Sequence, residues 1–224
     1  MKALTLYQPY ADAIAWSGKL VENRTWAPPR SILGERIAIH AGASKRNEHW
    51  GLPPGMEVDL AEPLPRSAIV CTAVVLGALD LTNQRKPEVH MALRVKENVV
   101  SFRERMLTTM PKSPWWVGPV GWLLGDVRSL AEPVSCKGAM GLWTLPADIE
   151  QIVLERTKYE VIGQKIDEAG AAYWTVKTPR DERLVSDSFG DPAEALEVAR
   201  EQVQRDLWAD RYLSRSNMPL LRLA

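Results

Sequence analysis

Alternation of hydrophobic and polar residues marks several short strands within residues 1–146. Residues 36–40 alternate, which predicts a half-buried strand. Residues 68–76 form a nearly continuous, valine-rich apolar run, the pattern of a strand covered on both faces. Residues 121–127 and 141–145 are two further short strands edged by glycine or proline. Together these segments predict a small mixed β-barrel.

Apolar residues at three- and four-residue spacing predict helices around that barrel. A short helix with one apolar face begins near Pro9 and ends at Gly18, where glycine suits the left-handed exit. From Met91 to Phe102 apolar residues recur at helical spacing among many charges. We therefore expect one or two surface helices inserted at about residues 84–114.

The pattern changes after residue 146. We expect a connection over residues 147–158, followed by three strands joined by tight turns. Asp191 then opens a long helix, because it suits the N-cap position and carries Glu194 three residues later. Residues 159–224 are thus predicted to form a small βββα domain, and the chain as a whole belongs to the α+β class.

Composition limits the function of these two domains. The 224 residues include 28 basic and 28 acidic side chains, so nucleic acid would have to bind a local patch rather than a global field. The two cysteines and three histidines lack metal-ligand spacing, and we expect neither a metal nor a cofactor. The chain starts without a hydrophobic signal region, and no apolar run approaches a membrane span. We expect a cytoplasmic protein with no membrane partner.

Polar groups are concentrated just after the first predicted helix. Glu22 and Arg24 share one face of a predicted strand, with Trp26 next along it and Lys19 just before. Arg24 or Lys19 could contact a phosphate or a base edge, while Glu22 orients them or accepts from an exocyclic amine. Trp26 or Tyr7 could stack on a base. The alternative is a ladder of surface ion pairs, which contributes little stability.

Four more residues complete the predicted ligand-binding set. Gln8 precedes the helix that leads into the polar cluster. His40 ends a predicted strand and is followed by small residues that would let a ligand approach the backbone. Ser44 and Lys45 come next and could contact phosphate. A lone histidine on a strand is also often a hydrogen-bonded structural residue, so both interpretations of His40 stay open.

Several of these motifs, taken in chain order, resemble those of a known family. The residues that resemble the ASCH domain family are Gln8-Pro9, Lys19…Glu22…Arg24, Trp26, Ile39-His40-Ala41 and Lys137-Gly138…Gly141-Leu142-Trp143. The resemblance covers residues 1–146 and implies a PUA-like barrel, related to readers of RNA and of modified bases. It implies that the partner is RNA, single-stranded nucleic acid or a nucleotide.

The same resemblance raises an enzymatic alternative. A few members of the family are credited with ribonuclease activity, and one bacterial branch removes the acyl group from N4-acetylcytidine. The lysine and arginine of that branch correspond to Lys19 and Arg24, but its threonine nucleophile falls where this chain has Glu22. In an enzyme, Glu22 would be the general base to water and Lys19 would stabilise negative charge. Candidates for the branch's catalytic glutamate are Glu88, Glu97 and Glu104.

Three functions follow from the sequence. The leading hypothesis is a nucleic-acid-binding protein that recognises RNA or a single, modified or unmodified, nucleotide in the barrel cleft. The second is a hydrolase acting on acylated cytidine or RNA. The third is an adaptor whose C-terminal domain binds a protein partner or a second copy of the chain, because Trp208 and Tyr212 lie near the end of a helix that already has an apolar stripe.

Overall fold

The structure of the chain is a computed structural model. It describes residues 1–45, 63–92, 99–178, 181–186 and 191–216, without the side chains of 186, 204, 205 and 207–216. The chain divides into two compact units, Met1–Glu150 and Gln151–Ala224. The predicted domain limits at residues 146 and 158 stay predictions.

The first unit is built on one mixed sheet. Its strands in the described residues are β1 (Lys2–Leu6), β2 (Val21–Arg24), β3 (Arg36–Ala41), β4 (Ala68–Asp80), β5 (Glu88–Met91), β6 (Val120–Ser135) and β7 (Leu142–Thr144). The strand order is β2-β6-β4-β3-β1-β7, and β5 pairs with β4 beside this path. β1 and β3 are parallel, and the other pairs are antiparallel. The sheet curls into a half barrel, and the predicted mixed α+β class is confirmed.

Two long strands form the centre of this sheet. β4 has 13 residues and β6 has 16, both longer than the short strands predicted from the apolar runs. Their register shifts at three places, which are β-bulges or irregularities. Bulges increase the local twist of a strand and bend it, so they let long strands follow the curve of the sheet.

The sequence pattern did not reveal β1, although this strand lies inside the sheet between β3 and β7. Ala3 and Leu4 are fully buried there. β1 has only five residues, and only three of them are buried, so alternation had little length in which to appear. Its position matters because Thr5, Leu6 and Tyr7 at its end lead directly to the candidate site.

Helix α1 (Tyr10–Trp16) covers the main core of the first unit. Ala11 and Ile14 are buried in the same cluster as Trp122, the largest fully buried side chain of the described residues. The helix ends before Gly18, which has a φ of +66°, as the left-handed exit requires. The predicted short helix is thus present and leads to β2, but residues 11–15 are all buried, so burial is not limited to the predicted single apolar face.

The predicted helical insert at residues 84–114 is only partly helical. Met91 lies in strand β5 rather than in a helix, and helix α2 is Val99–Thr108. β5 pairs with the end of β4, where Gly77 allows the His90 carbonyl and the Phe102 ring to approach closely. Pairing with an existing strand edge therefore overrode the helical spacing. Residues 93–98 lie outside the described residues.

The second unit matches the predicted order of elements. Its described strands are β8 (Glu160–Ile166), β9 (Ala172–Lys177) and β10 (Glu182–Ser186), with β9 in the middle of an antiparallel sheet. Helix α4 (Pro192–Ser216) packs on this sheet around Val176 and Val185. Asp191 caps α4, because its Oδ1 accepts a hydrogen bond from the backbone N–H of Ala193 at 2.8 Å. Helix α3 (Ala147–Arg156) occupies most of the predicted connection.

Within the residues that the structure describes, no helix is long and apolar enough to cross a membrane.

Candidate ligand cleft

A cavity of about 1020 Å³ opens beside the ends of β1, β2 and β3 in the first unit. Two connecting segments, residues 114–117 and 137–141, complete its lining. Residues from the predicted site that line it are Tyr7, Lys19, Glu22, Arg24, His40 and Ser44. Their convergence follows from the topology, because α1 returns the chain to β2 while the parallel pair β1–β3 carries its ends to the same edge.

Lys19 and Glu22 form the inner part of the cavity. Both side chains are nearly inaccessible, and Nζ of Lys19 lies 2.5 Å from Oε2 of Glu22. Nζ also donates to the carbonyl oxygen of Val21 at 2.7 Å and lies 5.9 Å from the centre of the Tyr10 ring. Lys19 precedes the first residue of β2, so the predicted alternation does not extend back to it. Two of its three N–H donors are therefore used within the protein.

Arg24 extends this ion pair towards solvent. Its Nε lies 3.2 Å from Oε1 of Glu22, and its Nη2 donates to the carbonyl oxygen of Thr5 at 3.0 Å. Both oxygens of Glu22 thus contact a cation, one on each side. The three side chains carry two positive charges and one negative charge, so this triad, Lys19–Glu22–Arg24, has a net charge of +1. The side chain of Arg24 is 19% exposed, more than either partner.

His40 lines the cavity, although it is only 2% exposed. Its Nε2 lies 3.0 Å from the carbonyl oxygen of Cys136, so this nitrogen carries a proton. Burial lowers the pKa of His40, and the hydrogen bond to Cys136 opposes that shift only in part. The ring is therefore neutral near pH 7, with an unprotonated Nδ1 that lies 3.2 Å from Oγ1 of Thr5.

The hydroxyl of Thr5 is surrounded by polar groups. It donates to the carbonyl oxygen of Ala139 at 2.6 Å and accepts from Nε1 of Trp143 at 3.0 Å. The single hydroxyl proton thus goes to the Ala139 carbonyl rather than to Nδ1 of His40, which is the third polar neighbour of Oγ1. The Thr5–His40 pair is thus no activated nucleophile. Hydrogen bonds from Thr5 and His40 instead connect the segment 136–141 to strands β1 and β3.

Three residues predicted to bind a ligand do not line the cavity. Gln8 is fully buried, where its amide contacts the carbonyl oxygen of Pro65 and the backbone N–H of Asp12. Trp26 packs edge-on against Trp122, with ring centres 4.7 Å apart. Lys45 is exposed and is not part of the lining. Gln8 and Trp26 thus support the structure that holds the cleft, because their polar or aromatic groups have internal partners.

Other residues of the cleft were not predicted. Asn23 accepts from the backbone N–H groups of Val117 and Gly118 at 2.9 and 3.2 Å, and its amide donates to the carbonyl oxygen of Trp115. Trp143 does not line the cavity, but it is partly buried and lies edge-on to His40, which does. These contacts join residues about 90 or more positions apart in the chain, which no local pattern could reveal.

Neither of the described candidates for the catalytic glutamate lies in the cleft. Glu88 and Glu104 are exposed and do not line the cavity, and Glu97 lies outside the described residues. Among the residues that the structure describes, no three acidic, histidine or cysteine side chains are grouped as metal ligands. Both cysteines are buried thiols, and burial raises the pKa of each.

Comparison with known proteins finds similar solved structures. The chain is similar to the crystal structure of ASCH from Zymomonas mobilis, with 18% sequence identity and a TM-score of 0.35. The likeness covers 68% of this chain and 92% of that chain. That protein carries the name of the family that residues 1–146 resemble. No family model matches the chain, and no curated protein matches it. A TM-score of this size carries no functional argument, so the function has to come from the residues themselves.

Proposed function

We propose that the chain binds nucleic acid, and that the cleft accepts RNA or a single nucleotide, modified or unmodified. The observation that carries this proposal is the net positive charge of the Lys19–Glu22–Arg24 triad at the inner part of the cavity. Lys19 and Glu22 neutralise each other, so the excess charge is that of Arg24, the outermost member, and the phosphate of a nucleotide in the cavity would supply its counter-ion.

The triad also retains donors for such an anion. Lys19 has one N–H beyond those given to Val21 and Glu22, and the guanidinium of Arg24 carries five N–H groups. Among the described residues, the contacts of Arg24 use Nε and Nη2 but not Nη1. Arginine at the outer, partly exposed end of the triad is suited to a phosphate or a base edge.

The size of the cavity favours one or a few nucleotides over a duplex. About 1020 Å³ is at the upper end of the range typical of small-molecule sites. The equal numbers of acidic and basic residues in the whole chain provide no extended field along which a duplex would bind. Recognition is therefore local, and its salt dependence should correspond to very few phosphate contacts.

The test is the binding of short single-stranded RNA and DNA and of free nucleotides to Arg24→Ala. We expect affinity to fall about tenfold and the salt dependence to decrease by about one phosphate contact. Arg128→Ala is the matched control, because Arg128 is 20% exposed, pairs with the carboxylate of Asp126 and does not line the cavity. Equal losses in the two variants, or no binding by the unmodified chain, would contradict the proposal.

The hydrolase hypothesis stays a prediction, and we place it second. A general base needs an oxygen that can reach water, whereas both oxygens of Glu22 contact a cation. The measurement is turnover of acylated cytidine and single-stranded RNA by the unmodified chain and by Glu22→Gln. Turnover that is lost in the variant would place hydrolysis first. The adaptor hypothesis also stays a prediction, and the side chains of Trp208 and Tyr212 lie outside the described residues.

A further inference from the structure

Three large apolar side chains are exposed around the outer part of the cleft. Tyr7, Val117 and Met140 are 45%, 81% and 96% exposed, and all three line the same cavity as the charged triad. Single exposed apolar residues are ordinary on protein surfaces. Here three of them share one cavity with buried cations, and we call this group the apolar rim.

The position of Met140 is imposed by the fold. Its neighbour Ala139 accepts a hydrogen bond from the Thr5 hydroxyl, and Gly141, with a φ of +69°, accepts one from the backbone N–H of Thr5. Gly138 packs against the imidazole of His40, where an added Cβ would come within 2.2 Å of the ring. The segment on both sides of Met140 is therefore held in place, and the exposed side chain is presented rather than left loose.

Val117 is presented in the same way on the other segment. Its backbone N–H and that of Gly118 both donate to Oδ1 of Asn23, whose amide donates to the carbonyl oxygen of Trp115. Asn23 lies in β2, one residue before Arg24. The same strand thus places one cation of the triad and holds one apolar residue of the rim.

We propose that the apolar rim contacts the faces of an unpaired base, so that the preferred ligand of the cleft is a single-stranded nucleic acid. This inference rests on the proposed function. An unpaired base offers an apolar face to the rim while its phosphate or edge reaches the inner cations, and this division matches the two parts of the cavity. A duplex covers its base faces by stacking and would leave the rim in water. Met140 suits this role because its flexible thioether adapts to any ring.

The experiment compares three probes: a short single-stranded RNA, an abasic strand of the same length, and the duplex of the first strand. We expect the unmodified chain to bind the single strand at least about fivefold more tightly than either of the other probes. In the double variant Met140→Ser with Val117→Ser, that preference should fall below about twofold while affinity for the abasic strand is kept. Met140→Leu should retain the preference, because leucine keeps the apolar contact.

Ile166→Ser is the control for exposed apolar surface, because Ile166 is 71% exposed and belongs to the second unit. It should leave all three affinities unchanged. If the abasic strand or the duplex bound as tightly as the single strand, the proposed contact between the apolar rim and an unpaired base would be wrong. The proposed function would still stand. Binding of no probe would overturn the proposed function itself. The substituted side chains are exposed, so folding should be kept, and the urea midpoint of each variant verifies this.

Discussion

Replacing Glu22 with glutamine should change stability and ligand affinity in opposite directions. Glu22 is 5% exposed and contacts Nζ of Lys19 at 2.5 Å and Nε of Arg24 at 3.2 Å. Glutamine keeps the shape and one oxygen acceptor but removes the negative charge. The net charge of the triad then rises from +1 to +2, with two cations left without their shared partner.

The stability loss follows from burial. Removing one partner of a buried ion pair costs about 3–5 kcal/mol, because the remaining charge is uncompensated. Arg24 is 19% exposed and can turn partly to water, so we expect the lower end, about 3 kcal/mol. Affinity for an anion should rise, because the repulsion between Glu22 and the ligand disappears. At a separation of about 6 Å and an effective dielectric constant of about 20, that repulsion is about 2.8 kcal/mol. Salt screening reduces it to about 1.4 kcal/mol, which is a tenfold gain.

Urea unfolding followed by tryptophan fluorescence measures the first effect, because seven of the nine tryptophans lie in residues 1–150. Anisotropy of a labelled RNA, recorded well below the unfolding midpoint, measures the second. Asp126→Asn is the matched control: Asp126 also pairs with two arginines, Arg36 and Arg128, but it is 34% exposed and does not line the cavity. It should cost about 1 kcal/mol or less and leave affinity unchanged. A fall in RNA affinity in Glu22→Gln would refute the reasoning and indicate that Glu22 itself contacts the ligand.

Three further variants test the surroundings of the cleft. Gly138→Ala places a Cβ 2.2 Å from the His40 ring and should lower the free energy of unfolding, measured in urea, by about 1–3 kcal/mol. Gly163→Ala is its control, because the added Cβ meets nothing within 4 Å and should cost less than about 0.5 kcal/mol. Equal losses in the two variants would contradict the packing argument. Burial lowers the pKa of His40 below 6.5, so the unfolded chain takes up the proton first and stability falls as pH drops below about 6.5. His40→Gln should lose that component of the urea midpoint between about pH 8 and pH 5, and an identical pH profile would refute the assignment. Trp26→Ala should cost about 2 kcal/mol through lost packing on Trp122 while RNA affinity changes less than about twofold; a tenfold loss of affinity would make Trp26 a ligand contact.

Local pattern predicted most of the elements and failed where pairing decided the outcome. The apolar run of β4 and the capped helix α4 were visible because their signals are long or chemically specific. β1 was not predicted, since five residues at the start of a chain show too little alternation. Met91 was assigned to a helix, yet it pairs with Gly77 of β4. Strand pairing depends on a partner distant in sequence, which residue spacing does not contain.

The sequence predicted which charged residues form the site but not how deeply they are buried. Lys19, Glu22 and Arg24 were identified from their closeness in sequence, and the structure brings all three to one cavity. Whether they form exposed ion pairs or a largely buried group depends on tertiary packing. β6 pairs with β2, and Tyr10 of α1 lies beside Lys19. Trp26 follows the same strand, yet its ring forms a T-shaped pair with the buried Trp122. This one segment therefore supplied both cavity-facing and core-facing residues that sequence alone could not separate.

Two features of the cleft oppose stability, and both lie on the same cavity. Burying charges is costly, and an apolar group of similar volume in place of an ion pair is often equally or more stable. Holding large apolar side chains in water, as at Met140 and Val117, also gives up burial that folding would otherwise gain. Asp126 likewise contacts two arginines, Arg36 and Arg128, but it is 34% exposed and does not line the cavity. What sets the cleft apart is that two of its three charges, those of Lys19 and Glu22, are buried in the cavity that also carries the exposed apolar rim, and such joint departures from stability are expected where a ligand supplies the missing contacts.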